Sequence, residues 1–159
     1  MYTKNGMNAL SIGFINDYNS YASRYFKNTD GETWFLSSSV ASNLFQMTQN
    51  LRIVVGAGNT APTTDDYILE DEITTGLTVV ATGNSKGRQY FAYDDYYIAY
   101  ASATFRNDSD ADIVVREVGI YTKPQSYSEA NTILVARDVL SSPVTIHPQE
   151  SYSFTLTIG

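Results

Sequence analysis

The C-terminal segment alternates strictly between apolar and small polar residues, and this pattern restricts it to a β-strand. Tyr152, Phe154, Leu156 and Ile158 fall on one face, and serines or threonines fall on the other. Successive side chains of a strand point to opposite faces, so the pattern predicts one buried and one solvated face. Residues 96–106 alternate in the same way.

Similar short runs, rich in β-branched and aromatic residues, recur along the chain between clusters of Gly, Asn, Asp, Ser and Pro. The predicted strands are residues 32–36, 51–55, 77–82, 96–106, 113–121, 132–140, 144–146 and 152–158. Short strands at such spacing predict a mainly β fold, a single antiparallel β-sandwich or jelly-roll-like domain over residues 1–159. The break at 107–110 further predicts that 96–106 and 113–121 form a hairpin.

The N-terminal region has a different pattern from the rest of the chain. Met7, Leu10, Phe14 and Ile15 are spaced as on one face of a helix, which predicts a short N-terminal helix. Residues 1–45 are aromatic-rich, and an alternative is that they form an appendage that makes subunit contacts. No repeat, low-complexity tract or linker divides the chain.

Charge and cysteine content narrow the classes of function. The 159 residues carry a formal charge of -7 and contain no cysteine. An acidic protein is repelled by phosphate backbones and anionic membrane surfaces, so we expect neither nucleic acid nor membrane as a partner. Disulfides and thiolate metal sites are excluded. No signal peptide or membrane-spanning run is visible, which predicts synthesis in a cytoplasm.

Five short motifs, in a fixed order, resemble those of tailed-bacteriophage structural proteins. They are Asn5-Gly6-Met7-Asn8-Ala9-Leu10, the stretch from Val54 to Glu70, Arg116-Glu117-Val118-Gly119-Ile120-Tyr121, Leu134-Val135-Ala136-Arg137-Asp138-Val139-Leu140, and Pro148-Gln149-Glu150-Ser151-Tyr152. The second follows the pattern V-G-x-G-x-T-x-P-x-x-x-D-x-x-L. Gln149 departs from the last pattern, in which the turn residue is usually glycine.

The resemblance implies a non-enzymatic subunit of the virion, made in the host cytoplasm and packed at the head surface, neck or collar, or tail. Its partners would be other copies of itself and other virion proteins. It carries over no catalytic residues and no cofactor.

Three sequence features could indicate a binding or catalytic site, but each lacks residues that such a site needs. Gly56-Ala57-Gly58 lacks the third glycine and the following helix of a dinucleotide site, which favours a strand-end turn. Asp108, Asp110 and Asp112 lack the central glycine and distal glutamate of a calcium loop. His147 is the only histidine, and we expect it at the surface.

The acidic run at residues 65–72 is predicted to be a solvated face, with cation binding or contact with a basic subunit as alternatives. We therefore predict no catalytic residues, no metal site and no cofactor.

Glu117 and Arg137 lie mid-strand between apolar residues. Because a buried charge is costly unless it is paired, we predict a structural ion pair between them. The alternative places both residues in solvent on the open face of a sheet.

A tyrosine cluster is the predicted contact surface, and its members are Tyr90, Tyr93, Tyr96, Tyr97 and Tyr100. Tyr96 and Tyr97 occupy opposite faces of a strand, so the tyrosine rings cannot all point into the core. Some of them must be exposed or covered by a partner. We favour a subunit contact because tyrosine is enriched at protein interfaces. Two alternatives are a carbohydrate-binding module, in which the rings stack on host glycans, and a glycosidase that uses a pair of carboxylates.

Overall fold

The computed structural model describes residues 1–4, 6, 24–36, 51–91, 94–122 and 132–158. Most of the predicted N-terminal helix, from Met7 to Ile15, lies outside these residues. The described part is mainly β and contains two three-stranded antiparallel sheets and one two-stranded hairpin. The sequence-based prediction of a mainly β, sandwich-like fold is therefore confirmed.

Eight strands follow one another along the described chain. They are β1 (Arg24–Lys27), β2 (Thr33–Leu36), β3 (Arg52–Gly56), β4 (Leu77–Phe91), β5 (Asp94–Asn107), β6 (Ile113–Thr122), β7 (Ile133–Ile146) and β8 (Ser151–Ile158). Strands β1 and β2 form the hairpin, whose turn places Gly31 at a φ of 83°. The first sheet has the order β3-β6-β7 and the second has the order β4-β5-β8.

The main core lies between the two sheets and is built by the alternation that the sequence predicts. Ala101, Ala103 and Phe105 of β5 and Phe154 of β8 face residues from the first sheet. The first sheet contributes Ile53, Val55, Val115, Val118, Ile120, Val135 and Ile146. Burial of these apolar side chains makes the largest favourable contribution to the free energy of folding.

The predicted hairpin between residues 96–106 and 113–121 is wrong. Strand β5 pairs with β4 and β8, whereas β6 pairs with β3 and β7, so residues 108–112 cross from one sheet to the other. A polar break between two alternating segments fixes where each strand ends, but not which strand it pairs with.

Two strands are longer than predicted. Strand β4 continues through the glycines at 83 and 87 to Phe91, because each of these residues has a register partner on β5. Strand β7 continues through Pro143, but its register with β6 jumps from Val115–Val144 to Glu117–Val139. Residues 140–143 therefore form a bulge, where a proline without an N–H group is tolerated.

Residues 57–72 form an additional layer over the outer face of the first sheet. Leu69 packs into a second apolar cluster with Val54, Tyr121 and Leu134. Strand β6 is consequently covered on both faces, and its residues from Glu117 to Thr122 are all buried.

The N-terminal residues lie along the outer edge of β7. Met1 and Arg137 exchange backbone hydrogen bonds, with the Met1 α-ammonium donating to Arg137 O at 2.8 Å and Arg137 N donating to Met1 O at 3.0 Å. Thr3 is fully buried, and its Oγ1 donates to Leu134 O at 2.6 Å. This part of the predicted N-terminal appendage is integrated into the first sheet.

Candidate functional site

A buried glutamate lies at the centre of the layer formed by residues 57–72. The side chain of Glu117 is 0% exposed. Its Oε1 accepts hydrogen bonds from the backbone N–H groups of Gly58 at 3.2 Å and Asp71 at 2.8 Å. Its Oε2 accepts from Glu70 N at 3.2 Å and from Arg137 Nε at 2.7 Å. The carboxylate is thus surrounded by donors, which compensates for its removal from water.

Arg137 forms the predicted ion pair with Glu117 and distributes its remaining N–H groups over the covering loop. The residue is 2% exposed. Its Nη1 donates to Asp66 Oδ2 at 2.8 Å, and its Nη2 donates to Thr60 O at 3.2 Å. Nη2 also lies 3.5 Å from Glu70 Oε2. A planar guanidinium with several fixed donors suits this arrangement, whereas a lysine ammonium would provide only a point charge.

Two glycines allow the loop to approach the glutamate. A Cβ atom at position 56 would lie 2.4 Å from Glu117 Oε1 and 2.6 Å from Asp71 O. A Cβ atom at position 58 would lie 2.6 Å from Glu117 Oε1 and from Glu70 Cβ. The Gly-x-Gly pattern therefore serves close backbone approach at a strand end, as predicted in preference to a dinucleotide site.

The acidic run at 65–72 is only partly the solvated face that we predicted. Asp66 and Glu70 contact Arg137, Glu72 Oε2 accepts a hydrogen bond from Tyr121 Oη at 3.0 Å, and Asp65 pairs with Lys4. Asp65, Glu70 and Asp71 are exposed. Sequence reasoning did not identify Asp66 and Glu70 as partners of Arg137, because the acidic run and the arginine are far apart in the sequence.

The same contacts shift the ionisation of the loop carboxyls. Burial alone would raise the pKa of Asp66, but hydrogen bonds from the Thr63 backbone N–H and from Arg137 outweigh burial and lower that pKa. The pKa of Glu70 is lowered by hydrogen bonds from Thr60 and Asn59, whose N–H groups both lie 2.8 Å from Oε2. Both groups are therefore held as carboxylates.

Strand β6 presents alternate residues to the covering loop. Besides Glu117, Gly119 leaves space for Leu69, whose Cδ2 would lie 2.8 Å from a Cβ atom at position 119. The Tyr121 hydroxyl accepts from Leu69 N at 3.1 Å, and burial raises the pKa of this hydroxyl. Glu117, Gly119 and Tyr121 of the E-x-G-I-Y pattern therefore form one face of β6, fitted to residues 57–72, while Ile120 faces the main core.

A second polar centre, which sequence reasoning missed, joins the turns at one end of the two sheets. Asn107 is 0% exposed. Its Nδ2 donates to Ala111 O at 2.7 Å and to Ile146 O at 2.8 Å, and its Oδ1 accepts from Ser109 N at 2.9 Å. Asn107 O also accepts from the N–H of Gln149, whose φ is 65°. An Asn-x-Ser sequence at a strand end is the available signal, because it favours such local turns.

The other candidate residues have local partners. Asp108 accepts from Arg106 Nε at 2.6 Å, and Asp112 Oδ1 lies 2.8 Å from His147 Nδ1. His147 is exposed, as predicted. Within the described residues, no group of His, Cys, Asp and Glu is arranged to hold a metal ion.

The predicted tyrosine surface is distributed over one hairpin. Tyr90 belongs to β4, while Tyr96, Tyr97 and Tyr100 belong to β5. In register, Tyr90 is opposite Asp95 and Tyr97 is opposite Arg88. Tyr93 lies outside the described residues.

The chain matches no protein-family model, no curated protein and no solved structure. In the part of the chain that the structure describes, no helix has the length and apolar character needed to cross a membrane.

Proposed function

We propose that the chain is a non-enzymatic structural subunit of a tailed-phage virion, packed with copies of itself and with other virion proteins at the head surface, neck or collar, or tail. The observation that carries the proposal is the convergence of three separated motifs on one buried network. Gly58, Glu117 and Arg137 come from three different motifs of the resemblance, and they meet around one carboxylate. The N-terminal motif contacts the strand that carries Arg137, because Gly6 N donates to Thr3 Oγ1 at 3.0 Å and Thr3 Oγ1 donates to Leu134 O at 2.6 Å.

The chemistry of the network supports a structural role. Both oxygens of Glu117 accept hydrogen bonds from protein groups, and each nitrogen of the Arg137 guanidinium has an acceptor. A general acid or base needs access to a substrate proton, whereas these groups are directed at the protein's own backbone. Such a network fixes a loop on a sheet and favours a rigid block for assembly.

The charge and the tyrosine-bearing hairpin support a location among other proteins. A formal charge of -7 favours surfaces that face protein or solvent over those that line a DNA passage. The hairpin of β4 and β5 offers aromatic residues of the kind enriched at interfaces. Closed symmetry is the usual arrangement for repeated copies of one chain.

The test is whether the chain is a component of particles. We expect mass spectrometry of purified virions to detect it at a fixed copy number, and cross-linking to connect it to other virion proteins. A chain that is absent from particles and monomeric in solution would contradict the proposal. Glycan-array binding that disappears in Tyr96→Ala or Tyr97→Ala would instead support a carbohydrate-binding module.

A further inference from the structure

The hairpin of β4 and β5 continues beyond the three-stranded part of its sheet. Strand β8 pairs with β5 from Arg106–Ser151 to Ala99–Ile158. Strand β4 remains paired with β5 past that point, as far as Phe91–Asp94. Among the described residues, 87–91 and 94–98 therefore form a two-stranded part with both edges open, and the outer edge of β4 is open at residues 84–86 as well. These open edges belong to a segment made of residues 84–91 and 94–98. We call this segment the distal ribbon.

Open strand edges of this length require a partner or protection. Unpaired N–H and C=O groups along an edge are a template for another strand, and isolated two-stranded ribbons are marginally stable in water. Proteins commonly protect an edge with proline, a short strand or charged side chains, lysine above all. The distal ribbon contains no proline, and β4 has 15 residues.

The charges on the distal ribbon are separated by strand. Residues 84–91 contain Lys86 and Arg88 and no acid, whereas residues 94–98 contain Asp94 and Asp95 and no base. The basic pair is notable in a chain with 10 basic and 17 acidic residues. One edge of the ribbon is therefore basic, and the other is acidic.

This separation distinguishes between two ways of joining copies. If β4 paired with β4 of a second copy, Lys86 and Arg88 would approach the same residues of that copy, and like charges would repel. If β4 paired with β5 of a second copy, basic residues would approach Asp94 and Asp95. The second arrangement uses two different surfaces and is therefore heterologous, the type of contact that produces rings or filaments.

We propose that the distal ribbon joins copies of this chain head to tail, with residues 84–91 of one copy pairing along residues 94–98 of the next. This inference deepens the proposed function, on which it rests, by assigning the subunit contact and its partner, a second copy of the chain. Strand addition to an open edge supplies main-chain hydrogen bonds, and the charge pattern selects the orientation. Because β8 already pairs with β5 from Ala99 onward, the strand of the second copy can pair only with residues 94–98 of β5.

Charge reversal tests the pairing in the full-length chain. K86E/R88E makes both edges of the ribbon acidic, and D94K/D95K makes both edges basic. We expect the wild type to form oligomers in sedimentation velocity, and each variant alone to associate more than about tenfold more weakly. An equimolar mixture of the two variants should associate again, because each then meets an edge of opposite charge. The variant with all four reversals should associate as the wild type does.

The mixture separates a contact between copies from a contact within one ribbon. Arg88 and Asp95 occupy diagonal positions in the β4–β5 register, so a reversal also changes the charges on neighbouring strands of the same hairpin. Mixing cannot restore an intramolecular pair. A mixture that stays monomeric therefore overturns the inference, as does a wild-type chain that is monomeric or variants that associate normally. Circular dichroism should show that every variant retains its β structure.

The proposed function and this inference fail in distinguishable ways. A chain that is found in virions but is indifferent to the reversals contradicts the ribbon contact and leaves the virion role standing. Absence from virions contradicts the virion role, whatever the reversals do in solution.

Discussion

Arg137 reaches Glu117 diagonally: Nε lies 2.7 Å from Oε2, although the strand register places Arg137 opposite Gly119 and Glu117 opposite Val139. Gly119 has no side chain that would occupy the path between them. The two charged residues are thereby joined beneath residues 57–72, where neither one meets bulk water. The stability of that layer depends on both.

Removing the arginine should destabilise the protein strongly. In Arg137→Met, Glu117 keeps its backbone donors but loses its only counter-charge within hydrogen-bonding distance in the described residues. Breaking a buried pair in this way typically costs about 3–5 kcal/mol. Urea denaturation should show this loss, and Arg106→Met, which removes an exposed partner of Asp108, should change the midpoint little. Equal losses in the two variants would contradict a special role for the buried pair.

The close approach of the loop to Glu117 should make Gly58 sensitive to one added methyl group. In Gly58→Ala, the new Cβ would lie 2.6 Å from Glu117 Oε1 and Glu70 Cβ, so the loop must shift away from its anchor. We expect a loss of about 1–3 kcal/mol in the free energy of unfolding, as for other overpacked sites.

Gly83→Ala is the matched control for Gly58→Ala. There the nearest atom is Ser102 Oγ at 2.7 Å, the end of a side chain that can rotate away. Its unfolding midpoint should therefore stay close to that of the wild type. If both alanine variants were equally stable, the steric account of the Gly-x-Gly pattern would be wrong.

The alternation of apolar residues predicted the faces of the strands but not their neighbours. Phe154 and Ala103 face the core as expected, because period two is a local property of an extended chain. Whether β6 pairs with β5 or with β3 depends on contacts distant in sequence, and residues 108–112 fit a crossing between sheets as well as a hairpin. The end of β4 was also misplaced, because pairing with β5 outweighed the low strand preference of glycine.

The buried ion pair was predictable, whereas the groups around it were not. A charge flanked by Val115, Val118 and Ile120 needs a partner, and Arg137 stands in an equivalent apolar context. Sequence alone does not show that residues 57–72 fold over β6, so the roles of Asp66 and Glu70 emerged only from the structure. Asn107 was missed because asparagine at a strand end usually indicates an exposed turn.

Low pH should weaken the ion pair between Asp66 and Arg137, which holds residues 57–72 on the first sheet. The folded-state pKa of Asp66 lies below its ordinary value, so the carboxylate contributes stability above the unfolded pKa, about 3.9, and loses that contribution as pH falls through the folded pKa. Asp66→Asn should therefore be less stable than the wild type at pH 7, and the difference should shrink as the pH falls below about 4. Urea titrations of both proteins from neutral to acidic pH measure this difference. A difference that is independent of pH would show that the charge of Asp66 does not stabilise the loop.

Gln149 has a backbone conformation that favours glycine. Its φ of 65° costs a non-glycine residue about 1–2 kcal/mol, and about half of this is offset because glycine loses more chain entropy on folding. Gln149→Gly should therefore raise the unfolding free energy by up to about 1 kcal/mol, since the backbone N–H to Asn107 O is retained. Gln149→Ala keeps a Cβ atom and should give no such gain, whereas Gln149→Asn should lie between them because asparagine tolerates this region better. Thermal unfolding of the three variants measures their order of stability. An alanine variant as stable as the glycine variant would mean that the glutamine side chain, rather than the backbone angle, limits the turn.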